Sequence, residues 1–308
     1  MELGVFLPVS GRAAGPEVLT EAAGQAERLG FDVVWSAERV VQPASIETPY
    51  PYGEDGVFIV PPDRPFLDAM TCLAFLSGRT ERVRLGVSVL VLPYRHPLYW
   101  ARVAASIDRL SGGRFILGIG VGWMEEEFAA LGAPFAERGR VSDEQLEILR
   151  RLRAADGPAS FEGRHYRFAD VAFHPKAPGM PVWVGGEGRA ARRRAGRSGD
   201  AWFPYFVRIL PEELARLHEE VRGFARDAGR DPSSVSLAVC RSVELTPSPV
   251  AQEPDRLRGS AEQLAESLRA HAAAGVAHLA LQFTAPRWPD RAAQIERFAA
   301  EVMPALGA

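Results

Sequence analysis

Residues Asp108–Trp123 read DRLSGGRFILGIGVGW, which is in order the end of a helix, a tight turn, an apolar strand and a glycine-rich loop. Gly112 and Gly113 supply the turn, because glycine tolerates the backbone conformations that a tight reversal requires. The six residues that follow Arg114 are apolar or glycine, as expected of a strand that is buried on both faces. A helix, a short turn and a buried strand in succession indicate a parallel sheet covered by helices.

The same alternation of apolar strands and helical patterns extends from this stretch towards both ends of the chain. Eight strand–helix pairs within 308 residues match the size of a (β/α)8 TIM barrel, about 250 residues plus insertions. An open doubly wound sheet would need a phosphate-binding glycine pattern after the first strand, and PVSGRAAGPE (Pro8–Glu17) has the wrong spacing. The predicted strands are Leu3–Val9, Asp32–Ala37, Val83–Leu92, Phe115–Gly120, Pro181–Gly186, Asp200–Tyr205, Val235–Cys240 and Val276–Phe283.

Two stretches interrupt the alternation and predict insertions after strands 2 and 4. Residues 38–65 contain six prolines, and we expect them to form a long functional loop. After the fourth strand, two helical patterns lie between Met124 and Arg153, and we expect Ser160–Phe173 to form a ribbon. No linker composition separates these parts. The sequence therefore predicts an α/β fold with a single TIM-barrel domain over residues 1–308.

The composition excludes several classes of partner and compartment. The formal net charge of -3 provides no positive excess that would attract nucleic acid or an anionic membrane. Cys72 and Cys240 are far apart, which excludes a disulfide framework and a CxxC site, and the histidines show no metal-ligand spacing. No apolar run reaches the length of a membrane span and no signal-peptide pattern is visible, so we expect a cytoplasmic protein without a metal.

In a TIM barrel the active site lies at the carboxyl ends of the strands, and two glycine-rich stretches stand there. In Gly118–Gly122, alternate glycines remove side chains so that either a flat ring or a neighbouring helix can approach the backbone. Gly185–Gly188 lead into a helix whose free backbone N–H groups suit a phosphate, unless the stretch is an ordinary flexible turn. The glycine spacing does not decide between these interpretations.

Longer stretches, in a fixed order and spacing, carry a more specific signal. They are Phe31–Pro43, Arg82–Pro97, Asp108–Trp123, Glu125–Arg140, Phe161–Phe168, Pro181–Gly186 and Gly199–Pro204. With them the chain resembles the bacterial luciferase-like superfamily of flavin and deazaflavin oxidoreductases, in particular its members that use coenzyme F420. The resemblance implies a TIM barrel with a large insertion after strand four, a ring-shaped redox cofactor across the barrel mouth, and hydride transfer.

Matching the family residue by residue implies definite site positions. A cis peptide at Ser88–Val89 would form a bulge that backs the cofactor ring, and a plain trans strand is the alternative. Arg192, Arg193, Arg194 and Arg197, in the helix after strand five, either assist an anionic cofactor tail or form solvated surface. The implied cofactor contacts are Ser88, Val89, Gly120, Val121, Gly122, Gly185, Gly186 and Gly188.

Two positions depart from the family's pattern. The candidate catalytic residues Glu38 and Arg39 follow strand two, where many F420-dependent relatives have an acidic residue and a histidine, and arginine cannot shuttle a proton near neutral pH. Glu38 is the remaining candidate acid, with a pKa raised by burial, unless it forms an ion pair with Arg39 or another loop arginine. Trp123 stands where the branch that oxidises sugar phosphates has a glutamate, which disfavours that substrate class.

We predict an F420-dependent oxidoreductase that transfers a hydride between the deazaflavin and an organic small molecule. The alternatives are an FMN-dependent luciferase-like monooxygenase and a non-catalytic protein that binds the flavin or deazaflavin. The resemblance also implies a homodimer. An apolar pocket is expected to hold the substrate. Its candidate residues, which could instead serve packing alone, are Tyr50, Tyr52, Phe58, Tyr94, His96 and Trp123.

Overall fold

The computed structural model describes residues 1–53, 55–58, 60–205, 209–251 and 256–306. Eight parallel strands form a closed barrel in the order β1-β2-β3-β4-β7-β8-β9-β11, in which β11 pairs with β1 and β10 adds to the edge of β9. The strands of the described residues are β1 (Glu2–Phe6), β2 (Val33–Ser36), β3 (Arg84–Val91), β4 (Phe115–Gly120), β5 (Ala159–Glu162), β6 (Arg167–Val171), β7 (Val182–Gly185), β8 (Ala201–Phe203), β9 (Ser236–Leu245), β10 (Leu257–Gly259) and β11 (Val276–Phe283).

The closed parallel sheet confirms the predicted TIM barrel. β4 and β11 have the predicted bounds. β1 and β8 end earlier than predicted, because Pro8 and Pro204 have no N–H to donate to a neighbouring strand. β9 is longer than predicted because Arg241–Val243 continue its pairing with β11 and its last three residues pair with β10. The assignment of residues 1–308 to a single domain stays a prediction.

Helices cover the outside of the barrel. α1 begins with a proline and ends at Gly30, whose φ of 84° is the left-handed conformation typical of a helix end. α2 begins at Ala69, because the Asp68 side chain caps it by accepting the Thr71 N–H at 2.8 Å. The helices of the described residues are α1 (Pro16–Leu29), α2 (Ala69–Ser77), α3 (Pro97–Leu110), α4 (Glu125–Ala130), α5 (Arg138–Ala154), α6 (Arg189–Ser198), α7 (Pro211–Asp227), α8 (Ala261–Ala273) and α9 (Trp288–Glu301).

Large side chains fill the barrel interior, with Trp35 of β2 at its centre. Gly4 and Gly86 leave room for this ring, because a Cβ atom on either would lie within 2.4 Å of the indole. The Trp35 Nε1–H donates to Nε2 of the buried His278 at 3.1 Å. Side chains therefore fill the interior of the barrel, and a ligand that binds to the barrel strands must do so at an end of the barrel.

The two predicted insertions are present. Between β2 and α2, the described residues of the range 37–68 contain no helix or strand, only a bridge from Phe66 to Ser10. Between β4 and β7 lie α4, α5 and an antiparallel hairpin of β5 and β6, which is the predicted ribbon. Among the described residues, no helix is long and apolar enough to span a membrane.

Candidate active site at the barrel mouth

The ends of β3, β4 and β7 lie side by side at the mouth, the end of the barrel where its strands finish. The register pairs Val91 with Gly120 and Ile119 with Val184. Every residue implied as a cofactor contact belongs to one of these strand ends or to the turn that follows it. The structure therefore brings together three segments that are far apart in the sequence.

The Ser88–Val89 peptide bond is cis, as the resemblance predicted. The half-buried Val89 side chain lies against glycines, since a Cβ atom on Gly120 would be 2.6 Å from its Cγ2 and one on Gly185 would be 3.1 Å from its Cγ1. A Cβ atom on Gly118 would lie 2.1 Å from the Val87 carbonyl oxygen. These glycines thus make room for residues of β3, so close backbone packing explains why they are glycines. The neighbouring element is a strand, whereas the sequence suggested a helix.

Gly122 has two structural reasons to be glycine. Its φ is 81°, in the left-handed region that side chains disfavour. A Cβ atom there would also lie 2.6 Å from the Phe128 ring of α4 and 2.8 Å from Val91. Val121 and Gly122 remain half-exposed at the mouth.

The turn after β7 leaves the start of α6 open. Gly186 has a φ of 101°, and Gly188 is the N-cap residue, without a side-chain hydrogen bond to the helix. A Cβ atom on Gly188 would meet nothing within 4 Å. Uncapped N–H groups at a helix start are a suitable site for a phosphate.

The arginines of α6 that the sequence offered for an anionic cofactor tail lie in two places. Arg192 donates to Glu220 of α7 at 2.7 Å and to the Glu187 carbonyl oxygen. Arg193, Arg194 and Arg197 face α5 and line a separate cleft.

Glu38 is buried just beyond β2 and is paired with an arginine. Its Oε1 lies 2.7 Å from Nη1 of Arg95, and its side chain is only 1% exposed. Its Oε2 accepts the Val91 N–H at the end of β3. Burial raises the pKa of Glu38 to about 7, although Arg95 and the Val91 N–H oppose this shift. Both interpretations of Glu38 thus describe it in part, because it has a raised pKa and an ion-pair partner other than Arg39.

Arg39 is held by Glu127, which the sequence analysis did not single out. The Glu127 carboxylate accepts hydrogen bonds from Arg39, from the N–H groups of Val40 and Val41 at 2.9 and 3.2 Å, and from the Tyr94 hydroxyl at 3.0 Å. Glu127 lies in the acidic first turn of α4, a pattern that the helix dipole alone would explain. No signal in the sequence marked it as the buried member of that turn.

Four of the predicted pocket aromatics form one cluster over the mouth. The Tyr50 ring lies 5.1 to 5.4 Å from the rings of Tyr52, Phe58 and Trp123. Tyr205, missed in the sequence analysis, extends the cluster at 5.3 Å from Tyr52. Desolvation is the main cause that raises the pKa of Tyr50 to about 12, so its phenol stays protonated near neutral pH.

Tyr94 and His96, the other two candidate pocket residues, lie outside this aromatic cluster. Tyr94 packs edge-on against Phe128 at 4.7 Å, beside Glu127. His96 caps α3, since its Nδ1 accepts the Leu98 N–H at 3.3 Å, and its ring contacts Tyr166. His96 therefore has a capping role in the structure.

Arg39 links the aromatic cluster to the charged groups. Its guanidinium lies 4.9 Å from the centre of the Phe58 ring and 5.8 Å from that of Trp123, within the range of a cation–π contact. Its side chain is 10% exposed, and its buried Nε has no hydrogen-bond partner among the described residues. An oxygen acceptor in this cluster would satisfy that donor. No group of three or more residues suited to a metal ion occurs in the described part of the chain.

Comparisons with known proteins find relatives over most of the chain. A family model described as luciferase-like monooxygenase matches residues 1–299. An uncharacterised protein of Mycobacterium tuberculosis H37Rv is 34% identical over 210 residues, which are 68% of this chain and 71% of that protein. A second protein of that strain, provisionally named a coenzyme F420-dependent oxidoreductase, is 30% identical over 260 residues, 80% of this chain and 66% of its own.

One solved structure has nearly the same extent as this chain. It is an F420-dependent secondary alcohol dehydrogenase in complex with an F420-acetone adduct, and it is similar with a TM-score of 0.79 at 20% identity. The similarity covers 99% of this chain and 98% of the other. At this identity it establishes the shared fold.

Proposed function

The chain belongs to the luciferase-like monooxygenase family, and from that premise we propose that it is an F420-dependent oxidoreductase that exchanges a hydride with an organic small molecule. The observation that carries the proposal is the open start of α6 at Gly188 next to the end of β4 and the half-exposed Val89 of β3. A relative that covers 80% of this chain and carries an F420-dependent name supports the choice of cofactor.

The residues at the mouth fit a flat ring with a phosphate-bearing tail. Val89, Val121 and Gly122 offer a half-exposed, mostly apolar surface, and the buried Ser88 hydroxyl lacks a hydrogen-bond partner among the described residues. Gly186 and Gly188 would hold the phosphate. Gly120 and Gly185 would act indirectly, because their lack of a side chain lets Val89 pack against them. F420, when bound, supplies the carbon that gives or takes the hydride.

Arg39 is proposed as a fixed donor to a substrate oxygen. Glu127 and the rings of Phe58 and Trp123 hold its guanidinium in place, and a preorganised cation stabilises negative charge as it develops. Arg39 does not exchange protons near neutral pH, so the proton on that oxygen has another source. Glu38 faces Val91 and Arg95, and we propose that it positions the end of β3 rather than reaching the substrate.

The aromatic cluster supports a substrate with an apolar body. Tyr50, Tyr52, Phe58 and Trp123 would contact that body, as aromatic side chains commonly do in small-molecule pockets. The family description, luciferase-like monooxygenase, favours monooxygenase activity as a second candidate function, for which FMN is the proposed cofactor. The homodimer and the cytoplasmic location stay predictions.

Titration of the protein with F420 and with FMN, followed by fluorescence, tests the proposal. We expect F420 to bind more tightly than FMN, and Gly188→Asp to weaken F420 binding at least tenfold, because a carboxylate at the start of α6 repels a phosphate. Gly188→Asn is the matched control, since it also caps the helix but carries no charge. Tight FMN binding without F420 binding would favour the monooxygenase.

The chemistry needs a second measurement. Reduced F420 bound to the protein should be oxidised when a panel of ketones and aldehydes is added, and the reaction should slow in Arg39→Gln. Tight F420 binding with no turnover on any substrate would instead support the non-catalytic alternative.

A further inference from the structure

A cleft of about 720 Å³ lies between α5 and α6, away from the mouth. Its lining includes Pro178 and Asp200, just before β7 and β8, and Val182, the first residue of β7. These residues lie at the amino ends of the strands, whereas the mouth lies at the carboxyl ends. The cleft therefore runs along the side of α6, from Ala190 to Ser198, and its strand residues lie at the end of the barrel opposite the mouth.

Arginines outnumber carboxylates in the cleft. Five arginines and three carboxylates line it, which leaves an excess of two positive charges. The chain as a whole has a net charge of -3, so this excess is local. The residues concerned are Arg150, Arg153, Arg193, Arg194, Arg197, Asp143, Glu147 and Asp200.

Three of the five arginines already have partners. Arg194 donates to Asp143 at 2.6 Å and to the Gly139 carbonyl oxygen at 3.2 Å. Arg150 donates to Glu147 through two nitrogens, both at 2.7 Å. Arg153 donates to a carbonyl oxygen, that of Pro178, which leaves its charge without a carboxylate at hydrogen-bond distance in the described chain.

The side chains of Arg193 and Arg197 form no hydrogen bond or ion pair with any described residue. They are four residues apart on α6, where like charges repel and weaken a helix. An anion between them would remove this repulsion and use their free donors. The planar guanidinium group matches the oxygens of a phosphate especially well.

The inner wall of the cleft is apolar. Leu146 and Leu149 of α5 and Val182 of β7 form part of the lining. The volume is within the range of small-molecule pockets, and larger than a bare phosphate needs. We propose that the cleft is a second ligand site that binds a phosphate monoester with an apolar body, through Arg193 and Arg197. This site is independent of the function proposed for the mouth.

Calorimetric titration with n-hexyl phosphate, inorganic phosphate and hexanoate tests the site. We expect hexyl phosphate to bind most tightly, because only it combines the dianionic group with an apolar body. The double variant Arg193→Gln/Arg197→Gln should weaken its binding at least tenfold and keep the circular dichroism of the parent.

The matched control removes two arginine charges that have the same four-residue spacing on another helix. Arg222 and Arg226 lie four residues apart on α7 outside the cleft, and Arg222→Gln/Arg226→Gln should bind hexyl phosphate like the parent. Gly188→Asp at the mouth should also leave this binding unchanged. The proposal is wrong if the parent binds none of the probes, if inorganic phosphate binds as tightly as hexyl phosphate, or if the control variant loses as much affinity as the cleft variant.

Discussion

The mouth and the α5–α6 cleft both contain several arginines, but their charges are balanced differently. At the mouth, Arg39 pairs with Glu127 and Arg95 with Glu38, and the two carboxylates are 2% and 1% exposed. In the cleft, Arg193 and Arg197 are exposed and have no carboxylate partner among the described residues. Pairing accompanies burial because removing a charge from water is costly unless a partner compensates for it.

The difference separates two uses of charge in one barrel. The pairs at the mouth connect the loop after β2 to α4 and to the end of β3, so they hold the site in one arrangement. The unpaired arginines of the cleft remain hydrated, and their donors stay available to an anion. Charged groups that position a site should thus affect the free energy of unfolding, whereas those of a ligand site should affect mainly ligand affinity.

The largest expected effect is at the mouth, for Glu127→Gln. The substitution leaves the Arg39 charge buried without its partner, and breaking a buried pair in this way typically costs about 3 to 5 kcal/mol. Urea unfolding near pH 7 measures the loss. Glu125→Gln, in the same turn of α4 but exposed, is the control and should change the free energy of unfolding by less than about 0.5 kcal/mol. Equal losses in the two variants would show that the buried pair does not position the loop.

A second effect concerns the pH dependence due to Glu38. Because its pKa is about 7 in the folded protein against an ordinary value of 4.5, the folded state binds more protons than the unfolded state between these values. The free energy of unfolding should therefore fall as the pH rises from about 4.5 to 7, by about 3 kcal/mol at most.

Glu38→Gln should remove this part of the pH dependence, since glutamine resembles the protonated acid and does not titrate. The measurement is urea unfolding of parent and variant at several pH values from 5 to 8. Glu162→Gln, on the exposed face of the hairpin, is the control. Parallel curves for the parent and Glu38→Gln would mean that Glu38 stays charged throughout.

The smallest expected effect is in the cleft, for Arg193→Gln. Removing one of two like charges at helical spacing should leave stability unchanged or raise it by about 0.2 to 0.5 kcal/mol, more clearly at low salt. Thermal unfolding at two salt concentrations measures this. Arg194→Gln provides the contrast, because Arg194 is 7% exposed and bonded to Asp143, and it should destabilise the protein. A loss for Arg193→Gln as large as that for Arg194→Gln would contradict the distinction between paired and unpaired arginines.

The fold and the meeting of several candidate pocket aromatics could be predicted from the sequence. Apolar runs such as Phe115–Gly120 and Val276–Phe283 have the bounds of strands, because burial on both faces leaves a direct trace in local composition. The aromatics Tyr50, Phe58 and Trp123 were expected at the mouth and meet there, since the strand ends of a barrel gather its loops. Proline positions and added pairing shifted the limits of β1, β8 and β9, and β2, β3 and β7 are one residue shorter at each end than predicted.

The partners of individual side chains depended on the tertiary structure. Arg39 and Glu127 are 88 residues apart, and no local pattern distinguishes Glu127 from its exposed neighbours in the turn. The glycines of β4 looked suited to a ring, yet they make room for Val87 and Val89 of the adjacent strand. The composition and periodicity of a segment indicate whether the segment is buried and whether it forms a helix or a strand. Which atoms meet is decided when the barrel closes, because contacts between distant segments depend on register and packing that no single segment contains.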